Sequence, residues 1–299
     1  MKSAPPVIAV FTKNRTNPAY AAARLGADRT AARMGARAVH YVPEKPDDAA
    51  QQAELIEAAL ATRPAACVLV PAHPTAVNAA IRKIEAAGVP IIGFINRFTE
   101  PQRLVSFVGS EDYPLAFDIA TYLCGRMNGR GDIVIIEGAP ESVTSMERVR
   151  GFRAAVAKFP AMRIVAAIDG NYQRDDTLRA GGQLLASAVQ FDAILAANDV
   201  MALAMLEVLD AAGRTSVVTG INAVPTAVEA VKAGRLLATA DFDAMKMGCL
   251  ATEAAIRHTR GERVPPEIIL PVQVVERANY ALWDKPFADR ACPRWEDFV

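Results

Sequence analysis

The chain has 299 residues, 52% of them hydrophobic, which is ample for a large core and excludes a disordered polymer. Thirty-three basic residues balance thirty-three acidic ones, so the sequence carries no electrostatic footprint for nucleic acid or an anionic membrane and points to a neutral or small partner. No uninterrupted apolar run approaches a membrane span, and Met1-Lys2-Ser3-Ala4-Pro5-Pro6 has no apolar core of a signal peptide, which leaves two alternatives: a cytoplasmic protein, or one whose signal is absent from this sequence.

Val7 to Phe11 is a short apolar run of the kind that forms a strand buried on both faces. Lys13, Asn14, Arg15, Thr16 and Asn17 then crowd polar side chains onto its carboxyl end. Asn17 is positioned to cap a helix that opens at Pro18 and runs over Ala19 to Met34. In open α/β sheets ligands sit outside the carboxyl ends of the strands, so this segment reads as the lip of a binding cleft. An ordinary capped, solvated loop explains it equally well when it is taken alone.

The pattern then alternates. Ala38 to Val42 reads as a strand, followed by a helix through Ile56 and Leu60. Cys67 to Val70 is a third strand, with Thr75 expected to cap the next helix and Gly88 to close it. Pro90 to Ile95 is a fourth strand ending in Asn96-Arg97, and Leu104 to Val108 a fifth. After a helix bearing Leu115, Ile119, Tyr122 and Leu123 the pattern starts again. Strands are expected at Asp132 to Glu137, Ile164 to Ile168, Ala193 to Ala197 and Ser216 to Gly220, with helices at Ser145 to Phe159, Asp175 to Ala188 and Asp199 to Ala212. A strand at Leu237 to Asp241, a helix at Ala244 to Arg260 and one strand at Ile268 to Val275 complete the regular part. Trp283 to Val299 reads as an irregular tail that packs on a lobe. Strands alternating with helices argue for parallel sheets covered on both faces, here in two α/β lobes.

Cys67, Cys124, Cys249 and Cys292 lie far apart, with no CxxC pair and no nearby histidine pattern. Neither a metal site nor a redox dithiol is indicated, and the expectation is buried or incidental thiols. His40, His73 and His258 sit in no recognisable nucleophile or metal motif, and no GxSxG elbow, GxxxxGK loop or GxGxxG turn is present. Unpaired carboxylates poised for acid/base work read as scarce at the strand ends. The sequence therefore predicts no enzyme and no cofactor.

What recurs at the strand ends is another set: Lys13, Asn17, Tyr20, Asn96, Arg97, Arg148, Tyr172, Asn198 and Asn222. Amides and guanidinium groups pair with hydroxyls, and aromatic rings stack on the C–H faces of a sugar. Four segments carry a resemblance: Thr16-Asn17-Pro18-Ala19-Tyr20, the Pro-strand-Asn96-Arg97 unit, Arg148-Val149-Arg150-Gly151-Phe152 after a Gly138 loop, and Ala197-Asn198-Asp199-Val200-Met201-Ala202. In this order and spacing the chain resembles the periplasmic sugar-binding proteins of ABC importers, in the ribose, galactose and arabinose group, from about Val7 to Val275.

That resemblance implies the type I periplasmic binding protein fold, two doubly wound parallel-sheet α/β lobes joined by a three-crossing hinge. The crossings would fall near Gly109-Ser110, Phe242-Asp243 and Leu270-Pro271, giving a first lobe of 1–109 with 243–270 and a second of 110–242 with 271–299. It also implies roles. Asn17 matches a ligand-bonding amide and Tyr20 an aromatic, while Ala19 replaces a second aromatic and widens the pocket. Lys13 falls where arabinose binders place a lysine. Asn96 and Arg97, then Arg148, the stacking Tyr172 and Asn198, match cleft positions; Asn222 stands where ribose binders carry Asp, and Phe242 where they carry a hinge Gln. An amide in place of a carboxylate changes the hydrogen-bond pattern asked of the ligand, which argues against ribose and leaves a polyol, a larger aldose or a sugar acid as alternatives. The three cations Lys13, Arg97 and Arg148 find few matched acids in the sequence, Asp241 being one candidate. The expected protein is a monomeric periplasmic receptor, its signal absent from this sequence, that closes on a carbohydrate or polyol and engages a membrane permease and no nucleic acid. The alternative is the sugar-sensing domain of a LacI-like repressor lacking its DNA-binding headpiece.

Overall fold

The computed structural model describes residues 4–100 and 102–299. Met1 to Ser3, the start of the segment read as lacking a signal core, lie outside them. In chain order the first elements are Val7–Phe11 (β1), Pro18–Arg33 (α1), Arg37–Tyr41 (β2), Ala49–Ala61 (α2), Ala66–Leu69 (β3), Asn78–Ala86 (α3), Ile91–Phe94 (β4) and Leu104–Gly109 (β5). Asp112–Arg126 (α4), Arg130–Glu137 (β6), Val143–Val156 (α5), Ala161–Asp169 (β7), Arg174–Ala186 (α6), Ala193–Ala196 (β8), Asp199–Ala211 (α7), Val217–Ile221 (β9), Pro225–Lys232 (α8) and Ala238–Asp241 (β10) follow. Ala244–Thr259 (α9), Glu267–Ile269 (β11) and Gln273–Glu276 (β12) precede single 3-10 turns at Tyr280–Leu282, Phe287–Asp289 and Trp295–Asp297.

The chain divides into two compact units. The first takes Met1–Ser110, Asp243–Leu270 and Phe287–Val299, and the second Glu111–Phe242 and Pro271–Pro286. Among the described residues each unit is built on a six-stranded sheet, ordered β11-β5-β4-β3-β1-β2 in the first and β12-β10-β9-β8-β6-β7 in the second. All neighbours are parallel except β10 and β12. β3, β4 and β8 are buried at every position, which is why they read as unbroken apolar runs. Strand order reverses between β1 and β3 in one sheet and between β6 and β8 in the other, and these switch points are where parallel sheets open a crevice at their carboxyl ends.

Several elements differ from the sequence expectation for identifiable reasons. The single strand expected over Ile268 to Val275 is two strands in different sheets, β11 beside β5 and β12 antiparallel to β10. Leu270 ends one segment of the first unit and Pro271 begins a segment of the second; Pro271, lacking an N–H, cannot continue a ladder. Thr75 caps no helix: the His73 Nδ1 accepts from the Thr75 and Ala76 N–H groups at 3.2 and 3.1 Å, and α3 begins only at Asn78. Helix α8, opened by Pro225, was not anticipated.

The tail is also corrected. Residues 271–286 stay with the second unit, where Trp283 packs with Ala223, Val228 and Val275, but 287–299 return to the first. Contacts with α1 and α9 hold them there: Arg29 donates to the Ala288 and Arg290 carbonyls, the Arg257 guanidinium lies 4.9 Å from the Trp295 ring centre, and Cys249 forms a disulfide with Cys292 across a Cα separation of 6.0 Å. The expectation of unpaired thiols thus fails for this pair, because a link spanning 43 residues leaves no local spacing signature. Cys67 and Cys124 are buried and free, and burial pushes their thiols up to about 12 and about 11.

Close helix crossings fix both units. A Cβ at Gly248 of α9 would stand 2.1 Å from the Ala23 carbonyl oxygen of α1, and one at Gly26 of α1 would stand 2.3 Å from the Met245 oxygen. In the second unit a Cβ at Gly151 of α5 would meet the Tyr113 oxygen of α4 at 2.6 Å. Replacing a helical glycine by alanine ordinarily stabilises by about 1 kcal/mol. Here backbone cannot yield, so Gly248→Ala is expected to destabilise by about 1–3 kcal/mol, read from the shift of a urea unfolding midpoint. Cys292→Ala is expected to lower stability by about 2–4 kcal/mol under oxidising conditions and to change nothing under reducing ones, which paired unfolding curves would test.

Candidate functional site

In the first unit the carboxyl end of β1 is organised by a buried amide. Asn14, 3% exposed, donates from Nδ2 to Asp47 Oδ1 at 3.0 Å, and its Oδ1 accepts from the Asn17 N–H at 3.0 Å. Arg24 reaches in from α1 to donate to Thr12 Oγ1 at 2.7 Å and the Asn14 carbonyl at 3.2 Å; burial holds its guanidinium below the ordinary range. Asn17 caps α1 by accepting from the Ala19 N–H at 2.9 Å, in keeping with Pro18 at the first helical position. Lys13 sits with its Nζ 3.9 Å from Asp47 Oδ1.

The end of β4 joins this lip through the predicted aromatic. Tyr20, 6% exposed, donates its hydroxyl to Asn96 Oδ1 at 3.2 Å. Asn96 is presented by a tight turn, its N–H bonded to the Phe94 carbonyl at 2.8 Å with Ile95 at φ 64°. A β-branched residue in the left-handed region is strained, and such strain persists only where surrounding contacts over-determine it. Arg97 is placed differently. Its Nη1 donates to Glu267 Oε1 on β11 at 2.6 Å, and its guanidinium lies 4.5 Å from the Phe107 ring centre.

In the second unit Arg148 of α5 is buried at the carboxyl end of β8, its Nη1 donating to the Ala197 carbonyl at 2.7 Å and its Nε to Asp112 Oδ1 at 2.8 Å. Burial raises the Asp112 carboxyl above its ordinary value, and Arg148 works against that rise. The next residue, Asn198, is 1% exposed. Its Oδ1 caps α7 by accepting from the Met201 N–H at 2.9 Å, while its Nδ2 is buried with no acceptor among the described residues. Tyr172, at φ 61°, lays its ring where a Cβ on Gly138 would stand 2.1 Å from it, so only glycine permits this approach. Burial pushes its phenol up to about 12; Ser142 and Ser145 stand beside the hydroxyl without completing a hydrogen bond of good geometry. Phe242 is buried, with the Arg148 guanidinium 5.6 Å from its ring centre.

Asp199 ties three strand ends together. Its Oδ1 accepts from Thr239 Oγ1 at 2.6 Å and its Oδ2 from the Val224 N–H at 3.0 Å. A Cβ at Gly220 would stand 2.2 Å from Oδ1. The loop so held carries Asn222 at φ 127° and Ala223 at φ 48°, with the Asn222 N–H on the Ala240 carbonyl. Asp241, 6% exposed, accepts from the Trp283 indole N–H at 2.5 Å.

The cations expected to lack matched acids have them. The cations Lys13, Arg97 and Arg148 each have a carboxylate beside them, Asp47, Glu267 and Asp112. The carboxylates that do stand at the strand ends, Asp112, Asp199 and Asp241, are committed to protein donors. Asn14, Asp47, Asp112 and Asp199 were missed as organisers. The signals were present in the polar run after β1, the Asp47-Asp48 pair after β2 and the residue following Asn198, but none reveals its partner.

A family model described as a periplasmic binding protein domain matches residues 8–263. The chain is 29% identical over 240 residues to the D-ribose/D-allose-binding protein of Pseudomonas aeruginosa, covering 76% of this chain and 75% of that protein. A solved ABC transporter periplasmic solute binding protein from Actinobacillus succinogenes, with bound D-allose, is similar at a TM-score of 0.87 and 27% identity over 93% of this chain and 99% of that one. An ABC transporter solute binding protein from Mycobacterium smegmatis, with bound glycerol, is similar at a TM-score of 0.86 and 25% identity over 93% and 96% of the two chains.

Burial raises the Asp199 carboxyl from 3.8 to about 7. Between about pH 4 and pH 7 the folded protein therefore keeps a proton that the unfolded chain has released. The resulting contribution to stability is complete below about pH 4 and is lost as the pH rises toward 7, with a slope of at most ~1.4 kcal/mol per pH unit. Asp199→Asn is expected to flatten that slope whatever it does to the absolute stability. Urea midpoints at a series of pH values for both proteins measure it; parallel curves would show that Asp199 does not titrate in this window.

Proposed function

The chain belongs to the periplasmic binding protein family, and on that footing we propose that it is the solute receptor of an ABC importer, taking a sugar or sugar alcohol and passing it unchanged to a membrane permease. The reading includes a periplasmic location, a monomeric receptor and no nucleic-acid partner. Its likeness to solute binding proteins with D-allose and glycerol bound supports this over a repressor's sugar-sensing domain. Among the described residues no helix is long and apolar enough to cross a membrane.

One observation carries the reading: the buried Asn198 Nδ2 at the carboxyl end of β8, whose sister oxygen is spent on capping α7. A buried donor without an acceptor costs about 1–3 kcal/mol, and a hydroxyl oxygen from a bound solute removes that cost. We assign ligand contacts to Lys13, Asn17, Tyr20, Asn96, Arg97, Arg148, Tyr172, Asn198, Asn222 and Phe242. Amide and guanidinium donors with two tyrosines suit a polyhydroxylated ring better than an apolar solute. Turnover is not part of the proposal, because the carboxylates at the strand ends already accept from protein donors.

A thermal-shift screen of aldoses and alditols followed by calorimetry is expected to find a ligand. Asn198→Ser keeps a capping oxygen and removes the amide donor, so it is expected to weaken that ligand about tenfold or more with little change in the unfolding temperature of the free protein. Unchanged affinity would remove Asn198 from the site.

A further inference from the structure

We propose that Asp47 determines the ligand's charge: by neutralising Lys13 it sets the lip of the first unit to read uncharged hydroxyls and to refuse carboxylates. The inference rests on the solute-receptor reading and names which solutes that receptor discriminates.

Lys13 lies in a largely desolvated setting, its side chain 12% exposed and that of Asp47 27% exposed, with 3.9 Å between Nζ and Oδ1. Charges so placed interact more strongly than surface ions, because water screens them less. Asp47 does not arrive there by chance of rotamer. Its backbone is in the left-handed region at φ 59°, and its N–H is bonded to the Lys13 carbonyl at 2.9 Å. Its carboxylate accepts from Asn14 Nδ2, whose Oδ1 holds the Asn17 N–H. A strained non-glycine residue is thus tied by backbone and side chain to the loop that carries two proposed ligand contacts.

The electrostatic consequence is specific. An ammonium paired with a carboxylate still donates to a hydroxyl, but an incoming ligand carboxylate meets Asp47 as a like charge behind the lysine. Such juxtaposition is how a site rejects a competitor of similar shape. Arg24, the neighbouring cation, is turned to Thr12 and the Asn14 carbonyl. Asp48, the next residue, caps α2 through the Gln51 N–H. Asp47 is therefore the carboxylate that balances Lys13.

The experiment compares an aldose, the alditol and the aldonate of equal carbon number by calorimetry at neutral pH and low salt. The proteins are the full chain, Asp47→Asn, and Asp47→Asn combined with Lys13→Met. Asp47→Asn retains an oxygen for the Asn14 amide, and circular dichroism confirms the fold of each variant. The wild type is expected to prefer the neutral ligands. In Asp47→Asn the aldonate-to-neutral affinity ratio should rise about tenfold, and the rise should vanish in the double variant and at high salt. A ratio unmoved in folded Asp47→Asn overturns the proposal, as does a wild type that binds the aldonate more tightly. A wild type that binds none of the three classes, nor any other aldose or alditol, instead brings down the solute-receptor reading and this inference with it.

Discussion

The buried Asp199 carboxyl is the interaction on which the strand ends of the second unit depend. It has left water entirely, and burial raises its proton affinity far above that of a free carboxyl. The cost is offset by two donors from different elements, Thr239 on β10 and the Val224 N–H that opens α8. Asp199 is also the first residue of α7, so one group sets the spacing of three strand ends. Gly220 completes the arrangement by leaving room where any side chain would collide with Oδ1. A buried acid with a raised pKa commonly marks a catalytic centre. Here both oxygens are engaged by the fold, and the group acts as a clamp that holds Asn198 and Asn222 in place.

The first unit reaches the same end by other means. Among the described residues an amide network, rather than a buried acid, ties its strand ends. Asn14 bridges Asp47 to the cap of α1, and Tyr20 bridges α1 to the turn after β4. The unfavourable φ of Ile95 is the cost of aiming Asn96, and it is carried by the Tyr20 hydroxyl and the Ile95 N–H bond to Val108. Each unit thus fixes its polar lip before any solute arrives. That matters energetically, because groups already ordered by the fold lose little entropy when they bind.

Much of the fold was legible because its signals are local. Buried parallel strands announce themselves as apolar runs, and Asn17-Pro18 and Asn198-Asp199 as helix starts. The recurring amides and cations at strand ends were legible for the same reason. Their partners were not. The bonds from Asn14 to Asp47, from Arg148 to Asp112 and from Arg97 to Glu267 span 33, 36 and 170 residues. A charge visible in the sequence is therefore visible without its counter-charge, and the lips looked more cationic than they are. The split of β11 from β12 was hidden because two short strands around Leu270-Pro271 share one apolar signature. The returning tail was hidden because Phe287, Cys292 and Trp295 are held by residues from α1 and α9, which no periodicity in the tail encodes.

The disulfide between Cys249 and Cys292 encloses a ring of chain that contains the passages after Leu270 and after Pro286. Both segments that leave and rejoin the first unit in this region are thereby covalently bound into one loop. Under tension applied at the chain ends, an oxidised molecule would transmit force across the sulfur bridge and shield the 43-residue span inside it. At about 3.4 Å per extended residue this hides roughly 150 Å of contour length. The redox state of one bond thus decides how much of the chain a translocating or degrading machine can draw out in a line.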